Sequence, residues 1–250
     1  MSSSKNRFVI GSGLLILLVV IGVGAWSLID VLPGRKNFSM TDQADAVGST
    51  QLSIDSANAG VSLSPSKDSE VHVSASGKYT DSTPKVSLTK SGGTVSVSES
   101  CSSDCEVQLT VSLPAKLAVK VSSGDSWTTA QGLAGSLDIA TRSGAIDLTD
   151  SSGPLTLNST NGQIKVAGAT SDTFSATATD GEVRAAFRTP PTTANVKTNN
   201  GGIDLTLPNS DYYIQADSAN STPQIGLPVD RNAKHTVMVK SNNGGINIHR

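Results

Sequence analysis

The chain has 250 residues, enough for one large domain or two small ones once a short tail is set aside. Its formal net charge is −2 and only 16% of its residues are charged, so it lacks the basic stripe with which nucleic-acid-binding proteins neutralise phosphates. Two cysteines are too few for a disulfide-rich scaffold, and the abundance of Gly, Ser, Thr and β-branched residues favours strands joined by tight turns.

An uncharged apolar segment of 22 residues, FVIGSGLLILLVVIGVGAWSLI, covers positions 8–29. A helix of about 20 apolar residues crosses the hydrocarbon core of a bilayer, since it rises about 1.5 Å per residue. We therefore predict a cytoplasmic tail at 1–7, a transmembrane signal-anchor at 8–30 and an extracytoplasmic C-terminal part. Lys5 and Arg7 precede the segment, but positive charge also follows it, so the flanking charges favour this orientation only weakly.

The alternative for this segment is a signal peptide cleaved near Ala25, because Val23-Gly24-Ala25 has the small-x-small pattern of a cleavage site. The apolar run is longer than the ~7–15 residues typical of such peptides, which favours a retained anchor and a single-pass protein of the cell membrane. The cleaved form would be secreted. In both cases the rest of the chain leaves the cytoplasm.

The polar residues 31–48 are predicted to form a linker, and residues 49–250 an extracytoplasmic β domain. In its first part, 49–115, apolar residues two positions apart alternate with polar ones, as in half-buried strands. Turn signals such as Gly92-Gly93 separate these strands, so we predict antiparallel hairpins here. The alternating triplets are Leu52-Ser53-Ile54, Val61-Ser62-Leu63, Val71-His72-Val73, Val86-Ser87-Leu88, Val95-Ser96-Val97 and Val107-Gln108-Leu109.

The second part, 116–250, carries an internal repeat of about 20 residues. Its units share a small polar residue followed by glycine, with apolar residues seven and five positions before that glycine and two and four positions after it. Asn220-Ser221 fills the one long gap between units, with Ser in place of Gly. The shared glycines are Gly124, Gly144, Gly162, Gly181, Gly201 and Gly244.

Each unit is predicted to be a strand, a corner and a second strand. The apolar positions change phase at the glycine, so a straight strand could not bury both sets on one face, whereas a bent chain can. We expect the six glycines to form structural corners through a positive φ, which glycine adopts without steric cost. Stacked units would give a β-solenoid and successive hairpins a meander. The near-constant period favours an all-β, solenoid-like stack over 116–250.

The segments around the repeated glycine read SGAIDL, NGQIKV, DGEVRA, NGGIDL and NGGINI. Behind a single N-terminal anchor, they resemble the bacterial putative-adhesin β-strand-repeat family, whose uncharacterised extracytoplasmic domains are common in the envelopes of Gram-positive bacteria and actinobacteria. The resemblance covers residues 50 to 250. It implies a stacked β domain in the cell envelope and brings no catalytic residues with it.

Cys101 and Cys105 lie four residues apart in the segment CSSDC. An exported setting permits a small disulfide between them, with a structural role at a hairpin tip; free thiols and a zinc site are the alternatives. The histidines are His72, His235 and His249, and none has metal-ligand spacing from the cysteine pair. The disulfide is therefore favoured, and no metal or cofactor is predicted.

Acidic residues recur on the repeats, and a polysaccharide-cleaving β-helix would use clustered carboxylates as an acid/base pair. Asp147 and Asp204 share one repeat position, which Lys165 and Arg184 occupy in the units between them. This alternation is typical of a solvated column of mixed charge. We therefore predict that the protein is not an enzyme.

Trp127, Tyr212 and Tyr213 are the candidates for a sugar- or protein-binding platform in a chain with few aromatic residues, although packing at a cap or loop is the favoured interpretation of them. No oligomeric state follows from the pattern. The predicted function is a membrane-anchored binding or structural module that contacts cell-wall polysaccharide or a protein partner. A polysaccharide-acting β-helix enzyme and a sensor or regulatory component of an envelope-stress system are the alternatives.

Overall fold

A computed structural model describes residues 34–101 and 104–250 of the chain. Within these ranges the backbone forms 21 β-strands and no α-helix, so the predicted all-β class is confirmed. Accordingly, no helix long and apolar enough to cross a membrane occurs among these residues. The predicted tail at 1–7 and the predicted anchor at 8–30 fall outside the described residues.

The strands are numbered in chain order. The first seven are β1 (Lys36–Asp45), β2 (Gln51–Ser56), β3 (Gly60–Pro65), β4 (Glu70–Tyr79), β5 (Lys85–Ser91), β6 (Thr94–Ser100) and β7 (Cys105–Leu113). The next seven are β8 (Ala118–Ser123), β9 (Thr128–Gln131), β10 (Leu137–Thr141), β11 (Ile146–Thr149), β12 (Leu155–Ser159), β13 (Ile164–Ala169) and β14 (Thr173–Ala178). The last seven are β15 (Val183–Phe187), β16 (Thr193–Thr198), β17 (Ile203–Thr206), β18 (Tyr212–Ser218), β19 (Gln224–Ile225), β20 (His235–Ser241) and β21 (Ile246–His249).

The strands form two sheets that enclose one hydrophobic core. The eleven-stranded sheet has the order β1-β4-β7-β3-β9-β11-β13-β15-β17-β21-β19, and the ten-stranded sheet has the order β18-β20-β16-β14-β12-β10-β8-β2-β6-β5. All pairings from β8 and β9 onward are parallel. The two strands of each unit lie in different sheets, so a unit is one coil and successive coils stack. The hairpin meander is therefore excluded.

The predicted apolar positions of the repeat stack on one another in register. Seven positions before the corner, the column in the ten-stranded sheet contains Leu137, Leu155, Phe174, Ala194, Val237 and Ile214. Two positions after it, the column in the eleven-stranded sheet contains Ile146, Ile164, Val183, Ile203 and Ile246. All of these side chains are buried, so the interior is built from the two apolar sets that the phase change brings together.

The last two strands in sequence are not the last in space. β20 lies between β16 and β18, and β21 lies between β17 and β19. The coil formed by β18 and β19 is therefore outermost, and the coil that follows it in sequence is inserted beneath it. This insertion removes the exposed edge that β21 would otherwise present.

The first part of the domain, 49–115, departs from the predicted run of antiparallel hairpins. β2 pairs in parallel with both β6 and β8, and β3 pairs in parallel with β7 and β9, so these two strands form a further coil of the stack. Among the described residues of this part, only β5 and β6 form a hairpin, through the turn at Gly92-Gly93. Alternating apolar residues indicate a half-buried strand, but they do not specify its partner or its direction, which is why the prediction was wrong for β2 and β3.

The predicted linker, 31–48, contains a ten-residue strand instead. β1 pairs antiparallel with β4 along its whole length. Phe38, Met40 and Ala44 alternate with polar residues and pack against the core, so the segment has the period-two pattern of a strand despite its polar composition. At the same end of the stack β1 lies beside β5, the edge strand of the other sheet.

The corner glycines permit close contact between stacked coils. An ideal Cβ on Gly181 would lie 2.0 Å from the carbonyl oxygen of Gly162, and one on Gly201 would lie 1.9 Å from that of Gly181. None of the six predicted corner glycines has a positive φ, so the expected left-handed corner is wrong. The positive φ values in the repeats occur at the opposite corner, at Gly132, Asp150 and Gly168.

Gly124 does not belong to the column of corner glycines. The strand registers place Ser126 beside Gly144, and Gly124 lies two residues earlier in its coil. A Cβ on Gly124 would lie 2.0 Å from the carbonyl oxygen of Ala57, so it meets a different backbone group of the neighbouring coil. With this register, Thr128 is fully buried at the position that Ile146 has in the next coil.

Candidate interaction site

A ladder of amides follows the outer side of the glycine corner. Asn243 Nδ2 donates to Asn200 Oδ1 at 2.7 Å, and Asn200 in turn donates to the carboxylate of Asp180. Asn242 Nδ2 donates to Asn199 Oδ1 at 2.6 Å. The two Asn-Asn-Gly-Gly segments therefore stack directly, and each side chain ties one coil to the next.

A second column, of hydroxyl groups, runs along the inner side of the same corner. Thr141 Oγ1 donates to the carbonyl oxygen of Gly144 at 2.8 Å, and Ser159 Oγ accepts from the amide of Gly162 at 2.8 Å. These buried hydroxyls satisfy backbone groups where the strand ladder stops. This column was not predicted, although a Ser or Thr three positions before the glycine was the available signal in the sequence. The buried members are Ser56, Ser123, Thr141, Ser159, Thr198 and Ser241.

The predicted column of mixed charge lies on the outer face of the eleven-stranded sheet. Asp147 pairs with Lys165 across neighbouring coils, with 3.7 Å between the charged atoms, and both side chains are about half exposed. Arg184 pairs with Glu182 at 2.8 Å, and Asp204 accepts hydrogen bonds from Asn247 Nδ2 and interacts with His249 Nε2, both at 3.1 Å. Each carboxylate thus faces a base or an amide, which is the arrangement of a solvated ion-pair column.

Further ion pairs connect coils at both corners. Arg142 donates to both carboxylate oxygens of Asp125, at 2.9 and 2.7 Å, and this guanidinium holds the pKa of the Asp125 carboxyl below its usual value. At the opposite corner Asp150 pairs with Arg188 at 2.6 Å. A Cβ on Gly168 would lie 2.6 Å from Asp150 Oδ1, so this glycine leaves the space in which the pair meets.

The three aromatic residues of the predicted platform do not come together. Trp127 is 40% exposed and lies against the backbone of Gly60, on which a Cβ would be 2.7 Å from Trp127 Cε2. Tyr212 is fully buried, its hydroxyl donates to Pro208 O at 2.9 Å, and burial raises its pKa to about 12. Trp127 precedes β9, whereas Tyr212 begins β18 in the outermost coil, so the two residues do not share one platform, and the burial of Tyr212 agrees with packing. Tyr213 is half-buried beside Gln215, with which its hydroxyl forms a hydrogen bond.

Cys101 and Cys105 form a disulfide, as the sequence predicted. The bridge closes the connection between β6, an inner strand of the ten-stranded sheet, and β7 of the other sheet. Both cysteines pack against the core. The bridge is therefore a structural link between the two sheets.

Asp68, Glu70 and His72 form a cluster that was not predicted from the sequence. His72 Nε2 lies 3.0 Å from both oxygens of Asp68 and 3.9 Å from Glu70 Oε2. The backbone amide of Glu70 and then the imidazole of His72 lower the pKa of the Asp68 carboxyl. Imidazole and carboxylate suit a divalent transition metal, but hydrogen bonds within this exposed cluster already account for its geometry.

An open cleft lies where the loops before β2, β4 and β8 meet. Its volume is about 410 Å³, and Ala46, Val47, Pro114 and Leu117 form most of its apolar wall. Val47 is 64% exposed at its rim. The cleft lies at the end of the stack where the described chain begins.

The outermost coil, at the other end of the stack, also exposes apolar side chains. Ile225 in β19 is 39% exposed and Val229 in the following loop is 51% exposed, whereas Leu227 between them is buried and closes the core. Val229 forms an isolated parallel bridge with Tyr212, so this loop crosses the outer side of β18 at its first residue. We define the far-end surface as Tyr213, Ile225, Val229 and the outer edge of β18.

The sequence profile of the Toastrack DUF4097 family matches residues 100–249, which is more than half of the chain. The chain belongs to the Toastrack family. The Toastrack match covers the repeat coils from β8 onward, and it agrees with the predicted resemblance to a putative-adhesin β-repeat family. No curated protein matches the chain.

Solved structures similar to this Toastrack chain are described as adhesion proteins and not as enzymes. A putative adhesin from Bacteroides fragilis has 12% identity and a TM-score of 0.40, covering 84% of this chain and 97% of its own. A putative adhesin from Parabacteroides merdae has 12% identity and a TM-score of 0.39, covering 85% and 96%. A putative cell adhesion protein from Clostridium sporogenes has 10% identity and a TM-score of 0.36, covering 86% and 99%.

Proposed function

We propose that this protein is a membrane-anchored, extracytoplasmic β-repeat module that binds a cell-wall polymer or a protein partner and performs no catalysis. The observation that carries the proposal is the position of the two ends of the stack. The described chain begins with β1 at one edge of the eleven-stranded sheet, and β19 forms the opposite edge. The described chain therefore enters the stack at the end opposite the far-end surface.

The length of the stack determines how far the far-end surface lies from β1. Ten steps separate β1 from β19 in the eleven-stranded sheet. With neighbouring strands about 4.8 Å apart, the far-end surface would lie about 48 Å from β1 along the stacking direction. A rigid stack of this length suits a module that presents its end to a partner beyond the membrane surface.

Three further features support a non-catalytic, extracytoplasmic binding module. The disulfide Cys101–Cys105 is typical of chains that fold in an oxidising compartment. In the mixed-charge column each of these carboxylates pairs with a base at the solvated surface, and the Asp147–Lys165 pair also connects neighbouring coils. The exposed Ile225 and Val229 supply apolar contact area at the end where a partner would bind.

The location is tested with the full chain expressed in a bacterial host whose intact cells are treated with protease before fractionation. The proposal expects a full-length chain in the membrane fraction and loss of its C-terminal domain on treatment from outside. A shortened product in the medium would show that the N-terminal segment is cleaved. A chain that is fully protected in intact cells would overturn the extracytoplasmic placement.

Binding is tested with the purified full chain and isolated cell walls, separated by sedimentation. Val229→Lys places a charge on the far-end surface, where the partner would have to desolvate it. Retention should fall roughly tenfold, which corresponds to a loss of about 1.4 kcal/mol of binding free energy. Val47→Lys is the matched control, because Val47 is similarly exposed at the other end of the stack. Equal effects of the two variants, or no retention of the unmodified chain, would contradict binding of wall polymer at the far end.

A further inference from the structure

The edge strands of the two sheets differ in how they are protected from pairing with another chain. β5 carries Lys85 and Lys90, β1 carries three charged residues, and β19 has only two residues. Charges and short length are the usual protection of an edge. β18 has seven residues and one charge, Asp217, and within the described part of the chain it pairs with β20 alone apart from the bridge to Val229.

The backbone groups on the free side of β18 can be assigned from two hydrogen bonds. Tyr212 O accepts from the amide of Asp230 in the outer loop at 2.9 Å, so the backbone groups of Tyr212 point outward. The amide of Ala219 donates to Ser241 O of β20 at 3.2 Å, so those of Ala219 point inward. Because successive residues of a strand alternate, the groups of Ile214, Ala216 and Ser218 also point outward.

We infer that β18 is a homotypic docking edge, at which a second copy of this chain pairs antiparallel through its own β18 with Ala216 facing Ala216. This register uses residues 214–218 and leaves Tyr212 to its bridge with Val229. It places the outward-pointing backbone groups of Ile214 opposite those of Ser218, so the free amide and carbonyl groups of both strands form hydrogen bonds with each other. The two ten-stranded sheets then join into one continuous sheet about a two-fold axis.

The side chains of β18 are complementary to themselves in this register. Gln215 and Asp217 are exposed, and the register places the carboxamide of each copy opposite the carboxylate of the other. The single charge of the strand therefore never meets its own copy, and Lys240, 3.7 Å from Asp217, balances it within each chain. Ile214 and Ala216 lie on the core side, so the two cores become continuous.

The neighbouring apolar surface also favours a second copy of the chain over a lone peptide strand. Val229 lies at the Tyr212 end of the edge, where the paired chain would pass beyond its own Ser218. Its exposed surface, like that of Ile225, is present on both copies and would be covered on both. The inference rests on the far-end surface of the proposed function and names a second copy of the chain as the protein partner of that surface, although the edge itself is available with or without an anchor.

The inference is tested by cysteine cross-linking of the full chain in detergent. In the proposed register the two Ala216 Cα atoms lie about 5.5 Å apart, within the range of a disulfide. Ala216→Cys should therefore give a covalent dimer under mild oxidation. Tyr213→Cys is the control and should not, because the two copies of that position are separated by six residues along the strands, about 20 Å.

A second variant separates this edge from any association through the N-terminal segment. Ala216→Pro removes an outward-pointing amide that forms no bond to β20, so it should block pairing with little change in melting temperature. Sedimentation of the full chain should show a dimer that this variant shifts to monomer. A monomeric unmodified chain, a dimer unaffected by Ala216→Pro, or capture of an extended peptide at this edge by a chain that stays monomeric would overturn the inference.

Discussion

Gly162 and Gly144 occupy the same corner in successive coils, and an ideal Cβ on Gly162 would lie 2.0 Å from the carbonyl oxygen of Gly144. No real Cβ approaches a backbone oxygen so closely, so the hydrogen on Gly162 is what allows the two coils to stack. The relationship recurs from coil to coil, and it explains a glycine whose φ is ordinary for any residue.

Replacing Gly162 with Ala should therefore destabilise the domain as an overpacked site does, by about 1–3 kcal/mol. Gly162→Asn should be no better, although Asn tolerates a positive φ, because the obstacle is the Cβ itself. Thermal unfolding measures both variants. Gly245→Ala is the control, since nothing lies within 4 Å of its Cβ position, and its melting temperature should stay the same or rise slightly. A harmless Gly162→Ala would refute the contact.

The pair Asp125–Arg142 should give the domain a pH-dependent stability. The folded-state pKa of Asp125 is lowered by the Arg142 guanidinium, so the pair stabilises the fold above the ordinary carboxyl pKa of about 4 and loses this contribution as pH falls through the lowered value. The melting temperature of Arg142→Gln should thus lie below that of the unmodified chain at pH 6. The difference should shrink as the pH falls below about 4. A difference that is constant with pH would show that Arg142 acts by packing.

Asn200 tests the amide ladder at the corner. Asn200→Asp sets a second carboxylate against Asp180 while still accepting the hydrogen bond from Asn243, so it should destabilise the domain at neutral pH by up to about 1 kcal/mol. Lowering the pH protonates the carboxyl groups and should recover most of this loss. Asn200→Ala removes both hydrogen bonds without adding charge, and its deficit should not depend on pH. Matching pH profiles for the two variants would argue against charge repulsion.

The disulfide Cys101–Cys105 should make a modest contribution to the free energy of unfolding and should restrain only its own part of the chain. Its closed loop is short, and loop-closure entropy gives about 2 kcal/mol for a loop of about five residues. The double substitution Cys101→Ser with Cys105→Ser should lower the melting temperature by that equivalent and increase hydrogen exchange around the β6–β7 connection. Exchange in β10 to β17 should be unchanged. Loss of protection throughout the coils would mean that the bridge controls the whole stack.

The repeat could be predicted because each coil buries the same positions. The apolar residues on both sides of Gly144, Gly162, Gly181, Gly201 and Gly244 fixed the period, and the structure stacks these positions in the predicted register. Gly124 was wrongly assigned to the corner column because it carries the same polar-Gly pattern. The true corner of its coil is Ser126, two residues later. A dipeptide pattern does not distinguish one close backbone contact from another.

What the sequence missed depends on contacts between distant parts of the chain. β2 and β3 join the coils only because β6 to β9 provide parallel neighbours, and no local signal in 49–115 identifies them. Tyr212 was a candidate for an exposed platform, with packing as the favoured interpretation, but the sequence could not locate its partner, the loop that returns through Val229 to cover its strand. β1 was missed because its polar composition outweighed the alternation of Phe38, Met40 and Ala44.

The insertion of β20 and β21 beneath the outermost coil has a consequence for the order of folding. Coils up to β16 and β17 can dock one after another as the chain leaves the ribosome or crosses a membrane. β18 and β19 cannot take their places then, because their neighbours in both sheets are β20 and β21, which follow them in sequence. The outermost coil can therefore pair with the stack only after β20 and β21 have formed. A chain truncated before His235 would still contain β18 and β19, but both strands would lack the neighbours that hold them in the stack.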